Sequence, residues 1–249
     1  MSSHRLGLPV VLLGLLSVST HAGESRPLRI LFVGNSLTYQ NDLPRMFAGL
    51  AKSRGHDVQY DVYAPGGYRL SQHATDPRLL EKVNRGGWDV VVLQEQSQMP
   101  AMPRERLERE VYPFAQTLSQ RIRAGSPRAR IAFYQTMARR NGDAPTFPDL
   151  PEVGTYEGMQ KRINAAYAHM ARDNRGVLVA VGAIWEKARK QHPALPLYAD
   201  DVHPSFIGTY LAACVFYATL FGDSPTGAAH PPGVDDATAT ILQTLASAR

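Results

Sequence analysis

Two polar segments near opposite ends of the chain carry side chains suited to nucleophilic chemistry. Ser36 lies in the Gly34–Thr38 segment, directly after an apolar run, and His203 lies in the Asp200–Ser205 segment. A serine hydroxyl attacks a carbonyl carbon effectively only when a neighbouring base removes its proton, and histidine commonly does so. An acid three residues before the histidine, Asp200, can fold back onto the imidazole and fix its tautomer. The two segments therefore predict a Ser-His-Asp arrangement.

Each segment also fits a simpler role. A serine between a strand and a helix commonly caps the helix, and a helix N-terminus can also bind an anion. The phosphate-binding P-loop pattern and the Gly-x-Ser-x-Gly elbow are both absent at Ser36. In the second segment, Asp201 competes with Asp200 for the role of the acid. Because Pro204 disfavours helix at His203 and favours a helix after it, we expect the histidine in a loop.

Alternating strands and helices must position these residues. Apolar runs predict five strands, at residues 28–33, 58–63, 88–93, 130–135 and 177–181. Apolar residues at helical spacing predict helices at residues 43–54, 104–124, 156–173 and 183–191, after Pro204, and at residues 234–248. Residues 139–155 are rich in Gly, Pro and Asp, which predicts a long loop. The alternation indicates a parallel sheet with helices on both faces.

The carboxyl ends of the predicted strands should form one crevice, because ligands bind at that edge of a parallel sheet. The segments that follow the first three strands are Gly34–Ser36, Pro65–Gly67 and Gln94–Gln96. Further candidates for contact with a sugar or an acyl group are Asn35, Arg139, Arg140 and Trp185. Solvated arginines and a packed aromatic ring are the alternative interpretations of the last three.

The two end segments also carry a family resemblance. Gly34–Thr38 resembles the Gly-Asp-Ser-Leu block of SGNH/GDSL hydrolases, with asparagine in place of the aspartate, and Asp200–Pro204 resembles their Asp-x-x-His-Pro block. The resemblance spans about residues 28–222. It implies a three-layer α/β/α sandwich around a flavodoxin-like, five-stranded parallel sheet. It also implies Ser36 as nucleophile, His203 as general base and Asp200 as the residue that orients the base, with no metal or other cofactor.

The resemblance further implies an oxyanion hole made of the Ser36 N–H, a glycine N–H and a side-chain amide. Gly66 or Gly67 fits the glycine position, and a plain turn is the alternative for this pair. Where the family usually has Gly-x-Asn-Asp, this sequence has Gln-Glu-Gln-Ser. Direct register favours Gln96, whereas a similar Gln-Gly-Glu stretch in some SGNH-like acetylesterases favours Gln94. Because residues two apart on a strand face the same side, both glutamines stay candidates.

The N-terminus resembles a signal peptide. A basic start at His4 and Arg5 precedes the apolar stretch Leu6–Val18, and Thr20–Ala22 supplies small residues at a cleavage site. A buried N-terminal helix or strand is the alternative. We predict a signal peptide over residues 1–22 and a single domain over residues 23–249, located outside the cytoplasm, in a periplasm or secreted. No apolar run of that mature chain is long enough to span a bilayer.

The composition suits one globular α/β domain. The chain has 249 residues, of which 44% are hydrophobic and 20% charged, so a packed core is expected. Cys214 is the only cysteine, which excludes an internal disulfide. The formal net charge of +5 fits solvated helix faces or anionic substrates. The sequence contains no nucleic-acid-binding motif, and we expect no nucleic-acid partner.

Taken together, the sequence predicts an exported serine esterase that hydrolyses small acyl esters, with O-acetyl groups on carbohydrate as the expected substrate. A lipase or thioesterase with the same fold is the nearest alternative. A second alternative is a carbohydrate- or anion-binding module that has lost turnover, because the third sequence block departs from the family pattern.

Overall fold

Five parallel strands form one central sheet. The computed structural model describes residues 26–247 together with Met1, so the predicted signal peptide over residues 1–22 lies, apart from Met1, outside the described residues. The strands are β1 (Leu28–Val33), β2 (Val58–Tyr63), β3 (Val90–Leu93), β4 (Arg130–Tyr134) and β5 (Val177–Val179), in the spatial order β2-β1-β3-β4-β5. All four residues of β3 are buried, as expected for a strand covered on both faces. The predicted five-stranded parallel sheet is confirmed.

Helices connect the strands and flank the sheet. Within residues 26–247 the α-helices are α1 (Ser36–Tyr39), α2 (Leu43–Ser53), α3 (Leu70–His73), α4 (Pro77–Arg85), α5 (Arg104–Glu110), α6 (Tyr112–Gly125), α7 (Tyr156–Asp173), α8 (Val181–Gln191), α9 (Phe206–Phe221) and α10 (Asp236–Ser247). Short 3-10 turns lie at Gln40–Asp42, Met99–Ala101 and Pro151–Gly154. The sheet and its flanking helices form the predicted α/β/α sandwich. Of the helices in residues 26–247, none combines the length and the apolar character that crossing a bilayer requires.

Several predicted elements differ from the structure by one or two residues at an end, and two differences have a clear cause. The single helix predicted for residues 104–124 is divided at Val111, which has φ −126° and ψ −60°. Pro113 explains the division, because its ring clashes with the carbonyl four residues earlier and is tolerated only in the first turn of a helix. The strand predicted for residues 177–181 ends at Val179, because α8 begins at Val181. Helices α3 and α4 were not predicted.

An aromatic cluster holds β1, α2 and α9 together beneath the predicted crevice. The ring centroids of Phe32 on β1 and Phe216 on α9 lie 5.8 Å apart, and those of Phe47 on α2 and Phe216 lie 6.0 Å apart. All three side chains are fully buried. Since α2 follows Ser36 and α9 follows His203 in the chain, this packing brings the two ends of the sequence together.

Candidate active site

Ser36 is the first residue of α1, directly after the turn that follows β1, and its hydroxyl is not used to cap the helix. Asn35 caps the short helix: its side-chain oxygen accepts from the Leu37 N–H at 3.2 Å, and its carbonyl accepts from the Thr38 N–H at 2.9 Å. The alternative that Ser36 is the cap is therefore wrong. The expectation that Asn35 contacts substrate is also wrong, because its side chain is buried and its amide nitrogen donates to the Tyr68 carbonyl at 2.9 Å.

The histidine segment is a tight loop built on the Asp200 carboxylate. One oxygen of Asp200 accepts from the backbone N–H groups of Val202 and His203, both at 2.6 Å, and the other lies 2.8 Å from Nδ1 of His203. Partial burial raises the pKa of this carboxyl, but the bonds from His203 and Val202 outweigh that effect and the pKa falls to about 2. The carboxylate is therefore ionised at neutral pH, and it faces a ring N–H on His203.

The serine and histidine side chains meet at the edge of the sheet. Nε2 of His203 lies 3.0 Å from Oγ of Ser36. With Nδ1–H donating to Asp200, Nε2 is the acceptor for the serine O–H. Asn41 follows the serine segment in the chain and links it to the histidine segment. Its amide nitrogen donates to the Pro204 carbonyl at 3.1 Å and to the Thr209 hydroxyl at 2.9 Å.

Asp201 has a different environment from Asp200. Its side chain accepts from the Asn141 amide at 3.0 Å, and its carbonyl accepts from the Arg140 N–H at 2.8 Å. Of the two candidate acids, Asp200 is therefore the one in contact with the imidazole.

The glycine pair lies in a turn fastened to the serine turn. The Tyr68 N–H donates to the Pro65 carbonyl at 3.2 Å across the two glycines, and Gly67 has φ +70°, a left-handed conformation that favours glycine. The bond from Asn35 to the Tyr68 carbonyl fixes this turn beside Ser36. Among the described residues, the N–H groups of Ser36, Gly66 and Gly67 donate to no protein acceptor. Both glycines are exposed.

Gln94 lies beneath the serine turn and its side-chain amide is fully engaged. The side-chain oxygen accepts from the Asn35 N–H and from the Thr38 hydroxyl, both at 2.9 Å, and the side-chain nitrogen donates to the Glu95 carbonyl. Gln94 is completely buried. Its expected role as an oxyanion donor is not supported by this arrangement, in which the amide instead holds the serine turn in place.

Gln96 points in a different direction from Gln94. The expectation that both face one side is wrong, because β3 ends at Leu93 and the residues after it no longer alternate. The Gln96 side chain is partly exposed, its oxygen accepts from the Gln98 N–H at 2.9 Å, and its nitrogen donates to the Gln98 side chain at 3.0 Å. The Gln96 side chain therefore stabilises the loop that contains it, through its bonds to Gln98.

Glu95, between the two glutamines, is a buried carboxyl beneath the site. It is completely inaccessible to solvent, and its oxygens accept from the Gln96 N–H at 2.6 Å and the Leu70 N–H at 3.2 Å. Burial raises the pKa of Glu95 to about 8, against the opposing effect of these bonds. At neutral pH the group is therefore mostly protonated. Neither its burial nor its protonation was predicted from the sequence.

Trp185 does not face the crevice as expected. Trp185 is completely buried, with its ring 5.0 Å from that of Tyr198 in an edge-on contact, so the prediction of substrate contact is wrong and the packed alternative is correct. Arg139 forms an ion pair at 3.4 Å with the buried carboxylate of Asp143. Arg140 is exposed, and its guanidinium lies over the Tyr198 ring at 5.5 Å.

Two further residues fix the geometry of the serine turn. His73 is buried, and its Nε2–H donates to the Gly34 carbonyl at 2.8 Å; burial is the main reason that its pKa falls to about 4. Gly34 has no room for a side chain, because a Cβ there would lie 2.2 Å from the Thr38 hydroxyl and 2.4 Å from the Gln94 side-chain oxygen. The sequence motif contained Gly34, but nothing in it indicated His73.

Comparisons with known proteins find the same fold in solved structures. The sequence matches no protein-family model and no curated protein. Solved structures are similar: a DUF4886 family protein from Bacteroides uniformis shares 18% identity with a TM-score of 0.75, covering 89% of this chain and 93% of that one. An acetylxylan esterase from Geobacillus stearothermophilus shares 15% identity with a TM-score of 0.54, covering 77% and 93% of the two chains. At these identities the similarity concerns the fold.

A third structure is similar in sequence as well. It is a protein from Slackia heliotrinireducens assigned to the SGNH hydrolases, with 30% identity and a TM-score of 0.63. The match covers 78% of this chain and 99% of that protein, so it includes nearly the whole of the other domain. On this identity, this coverage and the shared sheet, the chain belongs to the SGNH hydrolases.

Proposed function

We propose that the protein is a serine ester hydrolase in which Ser36 is the nucleophile, His203 the general base and Asp200 the residue that orients the base. One observation carries the proposal: a continuous series of contacts, 2.8 Å from Asp200 to Nδ1 of His203 and 3.0 Å from Nε2 to Oγ of Ser36. These distances are those expected between a nucleophile, its base and the orienting acid.

The reaction proceeds in two displacements. His203 takes the proton of Ser36 as Oγ attacks the acyl carbon, and the carbonyl electron pair moves onto oxygen. When the tetrahedral intermediate collapses, the bond to the alcohol oxygen breaks and the alcohol leaves with the proton from His203. Water then attacks the acyl-enzyme with His203 again as base, which releases the carboxylic acid and restores Ser36. Ionised Asp200 stabilises the imidazolium in both halves of the cycle.

We assign the oxyanion mainly to backbone donors. Within the part of the chain that the structure describes, the N–H groups of Ser36 and of Gly66 or Gly67 have no protein acceptor, and they lie on two turns that Asn35 joins. Gln96 is the remaining side-chain candidate, because its amide is partly exposed, and donation to an oxyanion requires that it release Gln98. Removing one such donor typically costs about 3–4 kcal/mol of transition-state stabilisation.

We further propose a small acyl group, with O-acetyl esters of carbohydrate as the substrate class. The support comes from a structural neighbour that is an acetylxylan esterase. Structures of that protein include catalytic mutants of a serine and of an aspartate, the same residue types as Ser36 and Asp200. We also propose that the protein acts outside the cytoplasm after removal of residues 1–22. Intact mass of the exported protein should then correspond to a chain that begins at Gly23.

Hydrolysis of p-nitrophenyl acetate tests the proposed function. We expect turnover by the wild type and a loss of about 10³-fold or more in Ser36→Ala and in His203→Ala. Ser71→Ala and His192→Ala are matched controls, since neither residue contacts the site, and both should keep wild-type activity. Absence of turnover in the wild type would favour a non-catalytic binding module, and full activity in Ser36→Ala would move the nucleophile elsewhere.

A further inference from the structure

A cavity of about 610 Å³ lies between α2, α9 and the segment 229–232. Most of its lining is apolar and includes Met46, Gly49, Leu50, Phe206, Tyr210 and Pro231. This volume lies in the range of pockets that bind small organic ligands. None of the proposed catalytic side chains lines the cavity, so its role is not explained by the chemistry alone.

The cavity begins beside the histidine segment. Phe206 follows His203 by three residues, a length of chain that spans at most about 11 Å. Asn41 also lines the cavity, and its amide donates to the carbonyl of Pro204, the residue next to His203. The cavity therefore lies directly beside the histidine loop.

The positions of the general base and of the oxyanion donors decide which part of an ester can reach this cavity. The leaving alcohol oxygen must take a proton from Nε2 of His203, so the alcohol portion extends from the serine on the histidine side. The oxyanion points away from it, toward the free N–H groups of Ser36 and of the Gly66–Gly67 turn. A cavity that adjoins the histidine loop is consequently on the path of the alcohol.

Gly49 supplies a second, independent observation. It lies in the interior of α2, where glycine is less favourable than alanine. No neighbour among residues 26–247 requires the missing side chain, because a Cβ at Gly49 would meet none of their atoms within 4 Å. The space over Gly49 belongs to the cavity instead. Gly49 is exposed, and the missing side chain keeps this part of the cavity open to a ligand.

The rim of the cavity has a defined backbone conformation. Asn41 and Asp42 have φ values of 51° and 53°, in the left-handed region that asparagine and aspartate adopt more readily than other non-glycine residues. The two bonds from the Asn41 side chain to Pro204 and Thr209 maintain this conformation. The rim is therefore fixed to the histidine loop before any ligand arrives, as expected of a preformed binding site.

From these observations we propose that the cavity binds the alcohol portion of the ester and selects alcohols with an apolar body. For an ester of carbohydrate, that apolar body is the C–H face of the sugar ring, which can pack against side chains such as Phe206 and Pro231. The inference rests on the proposed function, because it assumes attack by Ser36. It goes beyond that function by assigning Gly49 and Phe206 to the recognition of the leaving group.

The test measures kcat/KM for ethyl, butyl and hexyl acetate, with the release of acetate as the readout. Each methylene that enters an apolar cavity should raise kcat/KM by about 4-fold, so hexyl acetate should exceed butyl acetate by roughly 16-fold. Gly49→Phe places a ring in the cavity and should remove this preference, and Phe206→Ala should weaken it. Gly49→Ala is the matched control and should keep it, as should Gln120→Phe, which adds the same ring on an exposed face of α6.

Three results would overturn the inference while the esterase stands: equal kcat/KM along the wild-type series, an unchanged preference in Gly49→Phe, or a preference that follows acyl length in methyl esters instead of alcohol length. If the wild type hydrolyses no acetate, the proposed function itself is wrong. Binding of 1-hexanol, measured by saturation-transfer NMR, then tests the cavity independently of ester hydrolysis. Binding that Gly49→Phe abolishes would support an apolar ligand site, and absence of binding to the wild type would refute it.

Discussion

Replacement of Glu95 by glutamine should make the protein more stable at alkaline pH. The carboxyl is completely buried below the serine turn, and its pKa is raised to about 8, whereas a glutamate in an unfolded chain titrates near pH 4.3. Between these values the folded state holds a proton that the unfolded state has lost. The free energy of unfolding therefore falls as the pH rises, by about 1.4 kcal/mol per pH unit. Below the unfolded value both states are protonated and the effect is absent.

A glutamine reproduces the protonated form and cannot ionise. Its carbonyl oxygen can keep the bonds from Gln96 and Leu70, because one oxygen of Glu95 accepts from both N–H groups. From pH 5 to pH 8, wild-type stability should fall relative to Glu95→Gln by about 3–4 kcal/mol. Urea unfolding at several pH values measures this difference.

Glu81→Gln on the exposed face of α4 is the control for the Glu95 experiment. Its stability relative to the wild type should not vary with pH. A Glu95→Gln difference that is likewise constant from pH 5 to pH 8 would refute the reasoning, because it would mean that the carboxyl is ionised in the fold throughout that range.

Two more predictions concern the site itself. Asp200→Asn should lower kcat by about 10²–10⁴-fold and Asp201→Asn by less than about 3-fold, since only Asp200 contacts the ring; equal effects would contradict the assignment. Gln94→Ala should lower thermal stability, because two buried donors lose their acceptor at about 1–3 kcal/mol each, whereas Gln96→Ala should lower kcat with little change in melting temperature; the reverse pattern would exchange their roles.

Much of the fold could be predicted from the sequence, because each central strand is buried on both faces and reads as an apolar run. Val90–Leu93 is such a run, and all its side chains are inaccessible. The division between α5 and α6 escaped prediction although Pro113 was visible, because the apolar spacing continues across Val111. Periodicity describes which side chains face the core, and it does not show where the backbone changes direction.

The histidine segment of the site was also predictable, since a local acid and a following proline give His203 a loop with a defined geometry. The residues after β3 were not. Side chains alternate only while a strand continues, and β3 ends at Leu93, so the directions of Gln94 and Gln96 depend on loop bonds between residues distant in sequence. Burial of Trp185 against Tyr198 depends in the same way on packing that no local pattern encodes.

The most direct test of the account is covalent labelling with a fluorophosphonate, which reacts only with a serine whose proton a neighbouring base removes. We expect one label per molecule, located by peptide mass spectrometry on Ser36, and labelling slowed by at least about 10³-fold in His203→Ala. A label on any other residue, or undiminished labelling of Ser36 without the imidazole, would contradict the assignment of nucleophile and base.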